Sequence, residues 1–474
     1  RGHRTDRRMP AARRRAERTC SPRDRALPHA VSTVRTRYHA QWVLPIASPP
    51  IGDGTVVVED DRIVWVGARH EAPAGGADDD LGNAVLMPGL VNAHTHLELT
   101  VFRGFLEGLS FFDWVRTLTR ARHEVLDEAA LLDSARLGVV EGLRAGITTF
   151  ADTADSSAPF DALRELGARG IAYREVFGPS PTQVADSLAG LRAKVDIMRA
   201  RETALVRVGV SPHAPYSVSD ALFEAVTAYA VAEHLPVAVH IAEGADESLL
   251  VERAEGRFAD LLRSRGIAVE CRARSPIALL ESCGVLAARP LLIHAVRADA
   301  ADIAIMARHR CGVAHCPASN TWLSHGIAPL VEMLEAGLDI GLGSDSMASN
   351  DRMDILGEGR LAAGQQRARP GREAAMPASQ VLELATRGGA RALGLGDVVG
   401  ALTPGLEADM VAFVIDPGAG SVHDISAAVV NAEAMVARRV IVAGRVRVRD
   451  GVVQHDDPSL SARVQLGADA LARW

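Results

Sequence analysis

The sequence predicts an α/β fold: a (β/α)8 barrel of the TIM type with a small β-sandwich domain built from both chain ends. Three observations favour this fold. Eight short apolar runs alternate with segments of helical spacing in the middle of the chain, which is typical of a parallel barrel. Val- and Ile-rich runs near both ends are typical of hairpins. The 474 residues also exceed the roughly 250 that a barrel alone requires.

The two chain ends have similar patterns. Residues 55–68, TVVVEDDRIVWVGA, hold two β-branched runs separated by an acidic turn, as in a hairpin. Residues 408–416 and 438–453 repeat this pattern near the other end. We therefore predict a composite β-sandwich from residues 31–86 and 400–460, with the barrel, residues 87–399, inserted between them.

The barrel strands are predicted from apolar runs that helix-length segments separate. The clearest of these segments is 217–234, with Ser219 or Asp220 as the expected N-cap. The eight predicted strands are residues 85–96, 145–152, 170–178, 206–214, 235–243, 290–296, 311–319 and 338–346.

Charge is distributed unevenly along the chain. Residues 1–30 hold ten Arg and three acidic residues, and we interpret them as a disordered basic tail or a non-native extension. The remainder has 42 basic and 56 acidic residues, a net charge of −14, which argues against nucleic-acid binding. No apolar run reaches the roughly 20 residues that cross a bilayer, and the five cysteines form no CxxC pair. We expect a cytoplasmic protein away from membranes, with a homodimer as the candidate assembly.

Polar residues stand at the carboxyl end of nearly every predicted barrel strand. Active sites of barrels are built at that end, so these side chains are expected to converge. His94 and His96 are two residues apart in a strand, so both can face the barrel mouth and bind one metal ion. Later strands end in His213, His240, Glu243, His294, His315 and Asp345.

The strand ends carry the motifs PGLVNAHTHLE, SPHAPYS, HIAE, LIHAV, HCPASN and LGSDS. In combination, these motifs resemble the amidohydrolase superfamily, and within it the metal-dependent purine and pyrimidine deaminases and triazine chlorohydrolases. The resemblance extends from about residue 35 to 455. It implies a (β/α)8 barrel flanked by a β-sandwich, which the strand pattern predicts independently.

The resemblance also implies roles for single residues. Glu243 corresponds to the proton shuttle, His294 to the residue that positions and polarises the attacking water, and Asp345 to a base toward that water. We expect desolvation in the barrel mouth to raise the pKa of Glu243. The implied metal ligands are His94, His96, His240 and Asp345.

One metal ion per chain is expected. Two-metal relatives bridge their ions with a carboxylated lysine at the end of the fourth strand, whereas the only lysine here, Lys194, lies in an amphipathic helix-like stretch. The expected ion is Zn²⁺, with Fe²⁺ as the alternative. Such an ion lowers the pKa of a water toward about 7, and the water then replaces an amino group on an electron-poor ring.

Substrate contacts are expected in the segment FRGFLEGLSFFDWV, a predicted helical lid after the first strand. In it, Arg103 is a candidate contact, and Trp114 either stacks on a base or packs in the core. His213 is a further candidate, because similar deaminases use this position toward substrate. Arg174 either meets a substrate carboxylate or forms a buried salt bridge. Glu98 is an acceptor for a ligand histidine or a substrate contact, and His315 and Asn320 are expected to brace the loop after the seventh strand.

The combination HTHLELT, FRG, FFDWV and GSDSMASNDRMDIL most resembles aminodeoxyfutalosine deaminases of the futalosine route to menaquinone. It is also similar to S-adenosylhomocysteine, methylthioadenosine and adenosine deaminases. These enzymes attack C6 of the adenine ring in a nucleoside and differ in the 5′ substituent. A chlorohydrolase or a guanine or cytosine deaminase is a third alternative. A non-catalytic binding protein is disfavoured, because the full set of implied site residues is present.

Overall fold

The computed structural model describes residues 34–372, 376–414, 423–432, 435–454 and 456–474. Segment 1–30, for which a basic tail or extension is predicted, lies outside the described residues. The last two residues of the strand predicted at 408–416 lie outside them as well.

Five strands of the first chain end begin a mixed sheet. The second and third form the predicted hairpin, in which Val57 pairs with Trp65. Asp60 turns the chain between them with a φ of 52°, a left-handed conformation that Asp tolerates better than most residues. The five strands are β1 (Arg35–Val43), β2 (Ile51–Glu59), β3 (Arg62–Ala68), β4 (Ala77–Asp80) and β5 (Ala84–Pro88).

The next eight strands match the predicted barrel strands, except that the first predicted strand, 85–96, is divided: its residues up to Pro88 belong to β5, and only Leu90–Thr95 form a barrel strand. The eight strands are parallel and almost entirely buried, which explains their near-continuous apolar sequence. They are β6 (Leu90–Thr95), β7 (Ile147–Ala154), β8 (Arg169–Val176), β9 (Val206–Pro212), β10 (Ala238–Ile241), β11 (Leu291–His294), β12 (Gly312–His315) and β13 (Asp339–Leu342).

Strands β10–β13 are shorter than predicted, with four residues each. The backbone takes left-handed conformations at or just beyond three of these strands, with φ 50° at Ala242, 75° at His294 and 56° at Asp345. Such residues end the hydrogen-bond ladder and turn their side chains away from the strand direction. The predicted runs were too long because they included these turns.

The eight strands form two parallel sheets, β6–β9 and β10–β13, each in chain order. Two isolated parallel bridges connect the sheets, one between Val210 and Val237 and the other between Thr95 and Asp345. The carboxyl ends of β6 and β13 therefore lie next to each other.

The last four strands join the first five in one nine-stranded sheet. Its order is β17-β16-β15-β14-β5-β1-β2-β3, with β4 beside β1. The antiparallel pairing of β5 with β14 joins the two chain ends, and its core includes Val43, Leu86, Met410 and Ile441. The arrangement of this sheet as a sandwich stays a prediction. The added strands are β14 (Met410–Val414), β15 (Ala437–Val442), β16 (Arg445–Arg449) and β17 (Val452–Val453).

Helices fill most of the connections between the parallel strands. The first nine described are α1 (Phe111–Val125), α2 (Glu128–Arg144), α3 (Ala158–Leu166), α4 (Val184–Arg199), α5 (Asp220–Ala232), α6 (Ala245–Arg253), α7 (Arg257–Ser264), α8 (Pro276–Ser282) and α9 (Ala300–His309). The others are α10 (Pro317–Trp322), α11 (Leu330–Glu335), α12 (Met347–Asn350), α13 (Ile355–Arg367), α14 (Ala378–Glu383), α15 (Gly389–Ala392), α16 (Ile425–Asn431) and α17 (Leu460–Arg473).

The caps of these helices follow from the sequence. Ser219 is the N-cap of α5, as predicted, and Ser110 caps α1 by accepting a hydrogen bond from the Asp113 N–H. Helix α16 was not predicted and interrupts the segment expected to be β, because Asp424 accepts hydrogen bonds from two N–H groups of its first turn. None of the helices in the described ranges combines the length and apolarity that crossing a membrane requires.

A buried ion pair connects β8 to the start of β14. Arg169 is 3% exposed, and its guanidinium donates to both carboxylate oxygens of Asp409, at 2.7 and 2.9 Å. It also donates to Glu407 at 2.6 Å. Removing one partner of such a pair leaves a buried charge uncompensated.

Replacing Arg169 by Leu is expected to lower the free energy of unfolding by about 3–5 kcal/mol, because Asp409 loses its counter-charge. Denaturant titration measures the change. Arg62→Leu is the control, because its pair with Glu407 is 3.9 Å long and half-exposed, and such a pair contributes about 0–1 kcal/mol. Equal losses in the two variants would contradict the prediction.

Candidate metal centre and active-site cavity

His94 and His96, at the end of β6, meet Asp345 in a buried cluster. The Nε2 atoms of His94 and His96 lie 3.2 and 3.5 Å from Asp345 Oδ1. The backbone sets this geometry, because the Asp345 N–H donates to the His94 carbonyl oxygen at 3.0 Å. The predicted histidine pair therefore shares one carboxylate.

His240, at the end of β10, adds a third imidazole. Its Nε2 lies 3.3 Å from His96 Nε2. The Nδ1–H of His96 donates to the Thr153 carbonyl oxygen at 2.8 Å, so Nε2 of the neutral ring carries a lone pair directed into the cluster. Burial lowers the pKa of His94 and His96, and lowers that of His240 strongly. The neutral form that these shifts favour is the form that ligates metals.

Asp345 is held as a carboxylate. Burial alone would raise the pKa of Asp345, yet its contacts with His94, and the charges of His294 and His96 when protonated, hold that pKa well below the usual value. Ser319 donates a hydrogen bond of 2.5 Å to Oδ2. Imidazole nitrogens and one carboxylate oxygen are a donor set that suits Zn²⁺, so the residues present fit a divalent metal ion.

His294 lies beside this cluster rather than at its centre. Its Nδ1–H donates to Asn320 Oδ1 at 3.0 Å, which leaves Nε2 directed toward Glu243 Oε1 at 3.5 Å and Asp345 Oδ2 at 4.0 Å. Asn320 thus orients His294, a more specific role than the predicted bracing of a loop.

The pKa of Glu243 is shifted in the opposite direction from the one expected. Burial acts to raise its pKa, but His294 and His325 outweigh this effect and lower it. His325 Nε2 lies 3.2 Å from Glu243 Oε1, and the backbone N–H of Glu243 donates to Glu247 at 2.9 Å. The expectation of a raised pKa was wrong, because desolvation was weighed without these neighbouring histidines.

A cavity of about 570 Å³ opens above the cluster. Helix α1 contributes part of its wall, as expected of the predicted lid. Trp114 lines it and donates its indole N–H to the Ala348 carbonyl oxygen at 3.1 Å. The rings of Tyr216 and Phe258 stack on the same wall with centroids 4.2 Å apart.

The structure brings two of the four predicted substrate contacts to this cavity. Trp114 and His213 line it, whereas Arg103 and Arg174 do not. Arg103 is 41% exposed and pairs with Glu141. Arg174 is buried and points to Asp155 at 3.4 Å, the salt-bridge alternative.

The structure also shows the positions of three other residues considered in the sequence analysis. Glu98 contacts no ligand histidine; it lines the cavity and accepts from Arg122 at 2.9 Å, so its expected role as an acceptor for a ligand is not what the structure shows. His315 is buried at the end of β12. Lys194 is 54% exposed on α4, and its Nζ lies 3.8 Å from Asp155 Oδ1, so it is a surface lysine.

Sequence reasoning missed several residues that hold the site in place. Ser319 lies inside the HCPASN motif, so the motif contained a signal for it. His325 and the Thr153 carbonyl had none, because only the fold brings them near Glu243 and His96.

Metal-free protein is expected to bind about one Zn²⁺ per chain, measured by chelator competition and elemental analysis. His96→Ala should weaken this affinity at least about tenfold, because even residues that merely support a ligand contribute that much. His123→Ala is the matched control, since His123 lines the same cavity outside the cluster. Unchanged affinity in His96→Ala would contradict the assignment of the ligands.

The amidohydrolase family matches residues 85–447. A 5-methylthioadenosine/S-adenosylhomocysteine deaminase of Moorella thermoacetica is 33% identical over 373 residues, covering 78% of this chain and 83% of the relative.

Two solved structures are similar over nearly the whole chain. An adenosine deaminase from Xanthomonas campestris with bound zinc has a TM-score of 0.82 at 27% identity, covering 93% of this chain and 99% of the other. Atrazine chlorohydrolase from Arthrobacter aurescens, complexed with zinc, has a TM-score of 0.78 at 25% identity, covering 92% and 99%. Because the matched segment includes all eight parallel strands and the histidine cluster, the chain belongs to the amidohydrolase family and is a hydrolase acting on carbon–nitrogen bonds.

Proposed function

We propose that the protein is a metal-dependent deaminase that converts a 6-aminopurine nucleoside to its inosine-type product and ammonia. The observation that carries this proposal is the position of Glu243, 3.5 Å from His294 at the floor of the cavity. A carboxylate there can move a proton onto a ring nitrogen, a step that deamination of a heteroaromatic ring requires. The deaminase relatives support the same reaction.

Each residue around the cluster has a separate role in the proposed reaction. Asn320 keeps the Nε2 atom of His294 free to hold the attacking water, and Asp345 accepts a proton from that water. Glu243, ionised at the start, takes one proton of the attacking water and delivers it to the ring nitrogen, and the proton that Asp345 accepts from the same oxygen reaches the leaving amino group. The C6–O bond forms and the C6–N bond breaks, so ammonia leaves. A divalent ion, when held by His94, His96, His240 and Asp345, supplies Lewis acidity that lowers the pKa of water toward about 7.

We extend the proposal to the closure of the barrel, the composite β domain and the identity of the metal ion. A closed (β/α)8 barrel is supported by the bridges Val210–Val237 and Thr95–Asp345, and a composite β domain is supported by the pairing of β5 with β14. We propose Zn²⁺ as the ion, with Fe²⁺ as the alternative. The zinc complexes of the similar structures support the first choice. A cytoplasmic homodimer stays a prediction.

The 5′ substituent that we propose is the carboxylated aromatic group of aminodeoxyfutalosine. Arg116, on α1, and Arg265, after α7, line the cavity and are exposed. Within the described part of the chain, neither guanidinium pairs with a carboxylate, whereas their neighbour Arg122 pairs with Glu98. Unpaired cations beside the aromatic wall suit an aromatic carboxylate.

Methylthioadenosine and S-adenosylhomocysteine are equally supported substrates, because the relatives that match most of the chain are named for them. Chlorohydrolysis or nucleobase deamination is the further alternative. One of the similar structures is an atrazine chlorohydrolase, so the substrate screen includes atrazine.

The function is tested by measuring ammonia release from adenosine, methylthioadenosine, S-adenosylhomocysteine, aminodeoxyfutalosine, guanine and cytosine, and chloride release from atrazine. At least one 6-aminopurine nucleoside should turn over. Glu243→Gln should retain the metal and lose turnover by roughly 100- to 10,000-fold, because it cannot relay the proton. Turnover of none of these nucleosides would reject the proposed function, and full activity of Glu243→Gln would reject the role of Glu243.

Replacing Arg116 and Arg265 together by Gln is expected to lower kcat/KM for aminodeoxyfutalosine by roughly 10- to 100-fold, the effect of losing hydrogen bonds to a charged group. The value for methylthioadenosine should stay within about threefold. Arg263→Gln is the control, because Arg263 lies on α7 but pairs with Asp260 outside the cavity. Equal effects on both substrates would contradict the proposal that Arg116 and Arg265 bind a substrate carboxylate.

A further inference from the structure

A buried carboxyl group in the cavity wall is not used by the proposed reaction. Glu175, near the end of β8, is 9% exposed and lines the cavity. Its Oε1 is buried and has no hydrogen-bond partner in the part of the chain that the structure describes. A buried polar group without a partner costs about 1–3 kcal/mol, a cost that a polar ligand in the cavity removes.

The charges around Glu175 are paired with other residues. Arg122 donates to Glu98, and Arg174 lies 3.4 Å from Asp155. Burial and the carboxylates of Glu98 and Asp155 raise the pKa of Glu175 to about 8. The two arginines therefore pair with Glu98 and Asp155, whereas Glu175 faces the cavity without such a partner.

His213, at the adjacent end of β9, faces the same space. Its Nδ1 lies 2.7 Å from Ser217 Oγ, which in turn donates to the Ala214 carbonyl oxygen at 3.1 Å. The Ser217 proton is thus engaged, so His213 Nδ1–H is the donor of the first bond. This leaves the Nε2 atom of His213 without a proton and 4.0 Å from Glu175 Oε1.

The separation between these two atoms fits one inserted hydroxyl. A distance of 4.0 Å is too long for a direct hydrogen bond, but an oxygen at roughly 2.8 Å from each atom bridges them. A hydroxyl both donates and accepts: it can donate to the unprotonated Nε2 of His213 and accept from the carboxyl of Glu175 in its protonated form. The site is close to the chemistry, because the His213 and His240 rings have centroids 4.9 Å apart.

We infer that Glu175 is a specificity residue that, together with His213, binds a hydroxyl of the substrate's sugar. The inference rests on the proposed function, since it assumes a nucleoside whose base lies over the metal cluster. A second metal ion is the competing occupant, because Glu175, His213 and His240 place ligand atoms within 4.8 Å of one another. The hydroxyl is favoured because His240 already belongs to the first cluster and two further ligands are too few for a zinc site.

The test compares adenosine with 2′-deoxyadenosine and 3′-deoxyadenosine. The wild-type holoenzyme should prefer adenosine over one of the two deoxy analogues by about 10- to 100-fold in kcat/KM, because that analogue leaves the buried pair unsatisfied. Glu175→Leu should reduce this preference to within about threefold. Glu175→Gln should keep most of it, because an amide can also bridge to a hydroxyl.

Asp155→Asn is the matched control, since Asp155 lines the same cavity but has ion-pair partners; it should keep the preference. Zinc content should be unchanged in Glu175→Leu. Equal losses on adenosine and both analogues, or loss of a second equivalent of zinc, would overturn the inference. The wild-type enzyme distinguishes failure of this inference from failure of the proposed function. Turnover of adenosine with no preference against either analogue rejects the hydroxyl site alone. Absence of turnover with every nucleoside rejects the proposed function as well.

Discussion

The backbone bridge between Thr95 and Asp345 is the contact on which the rest of the site depends. It joins the first and last parallel strands, so that His94 and Asp345, 251 residues apart, place a nitrogen and an oxygen 3.2 Å from each other. The Thr95 hydroxyl and the Asp345 N–H both add hydrogen bonds across this junction. A shift of one residue here would turn the alternate side chains toward the cavity and separate the ligands.

The buried carboxyl groups fall into two classes that differ in the direction of their pKa shift. Asp345 and Glu243 stand among histidines, which lower the pKa of each. At Glu175, Glu247 and Glu358 burial is the largest effect, and it raises the pKa of each to about 8. These shifts favour the charged form at Asp345 and Glu243 and the neutral form near pH 7 at Glu175, Glu247 and Glu358.

The order of the strands and the residues at their ends could be predicted from the sequence, because buried parallel strands are apolar until they reach the active-site edge. His94, His96, His240 and Asp345 were found in this way. Arg103 and Glu98 show the limit: both are polar and close to the first motif, but pairing with Glu141 and Arg122 decides where they point. The charge of Glu243 depends on His325, which lies in another loop and which no local pattern connects to it.

The position of β5 between β1 and β14 has a consequence for synthesis on the ribosome. Strand β5 is made early, but its antiparallel partner emerges only after the whole of the intervening barrel. During that time the edge of β5 is open, with Leu86 and Met87, both fully buried in the finished protein, available for pairing with other chains. The nascent chain therefore needs the barrel to fold first or a chaperone to cover the edge. The sheet that starts the described chain is the last part of the protein to be completed.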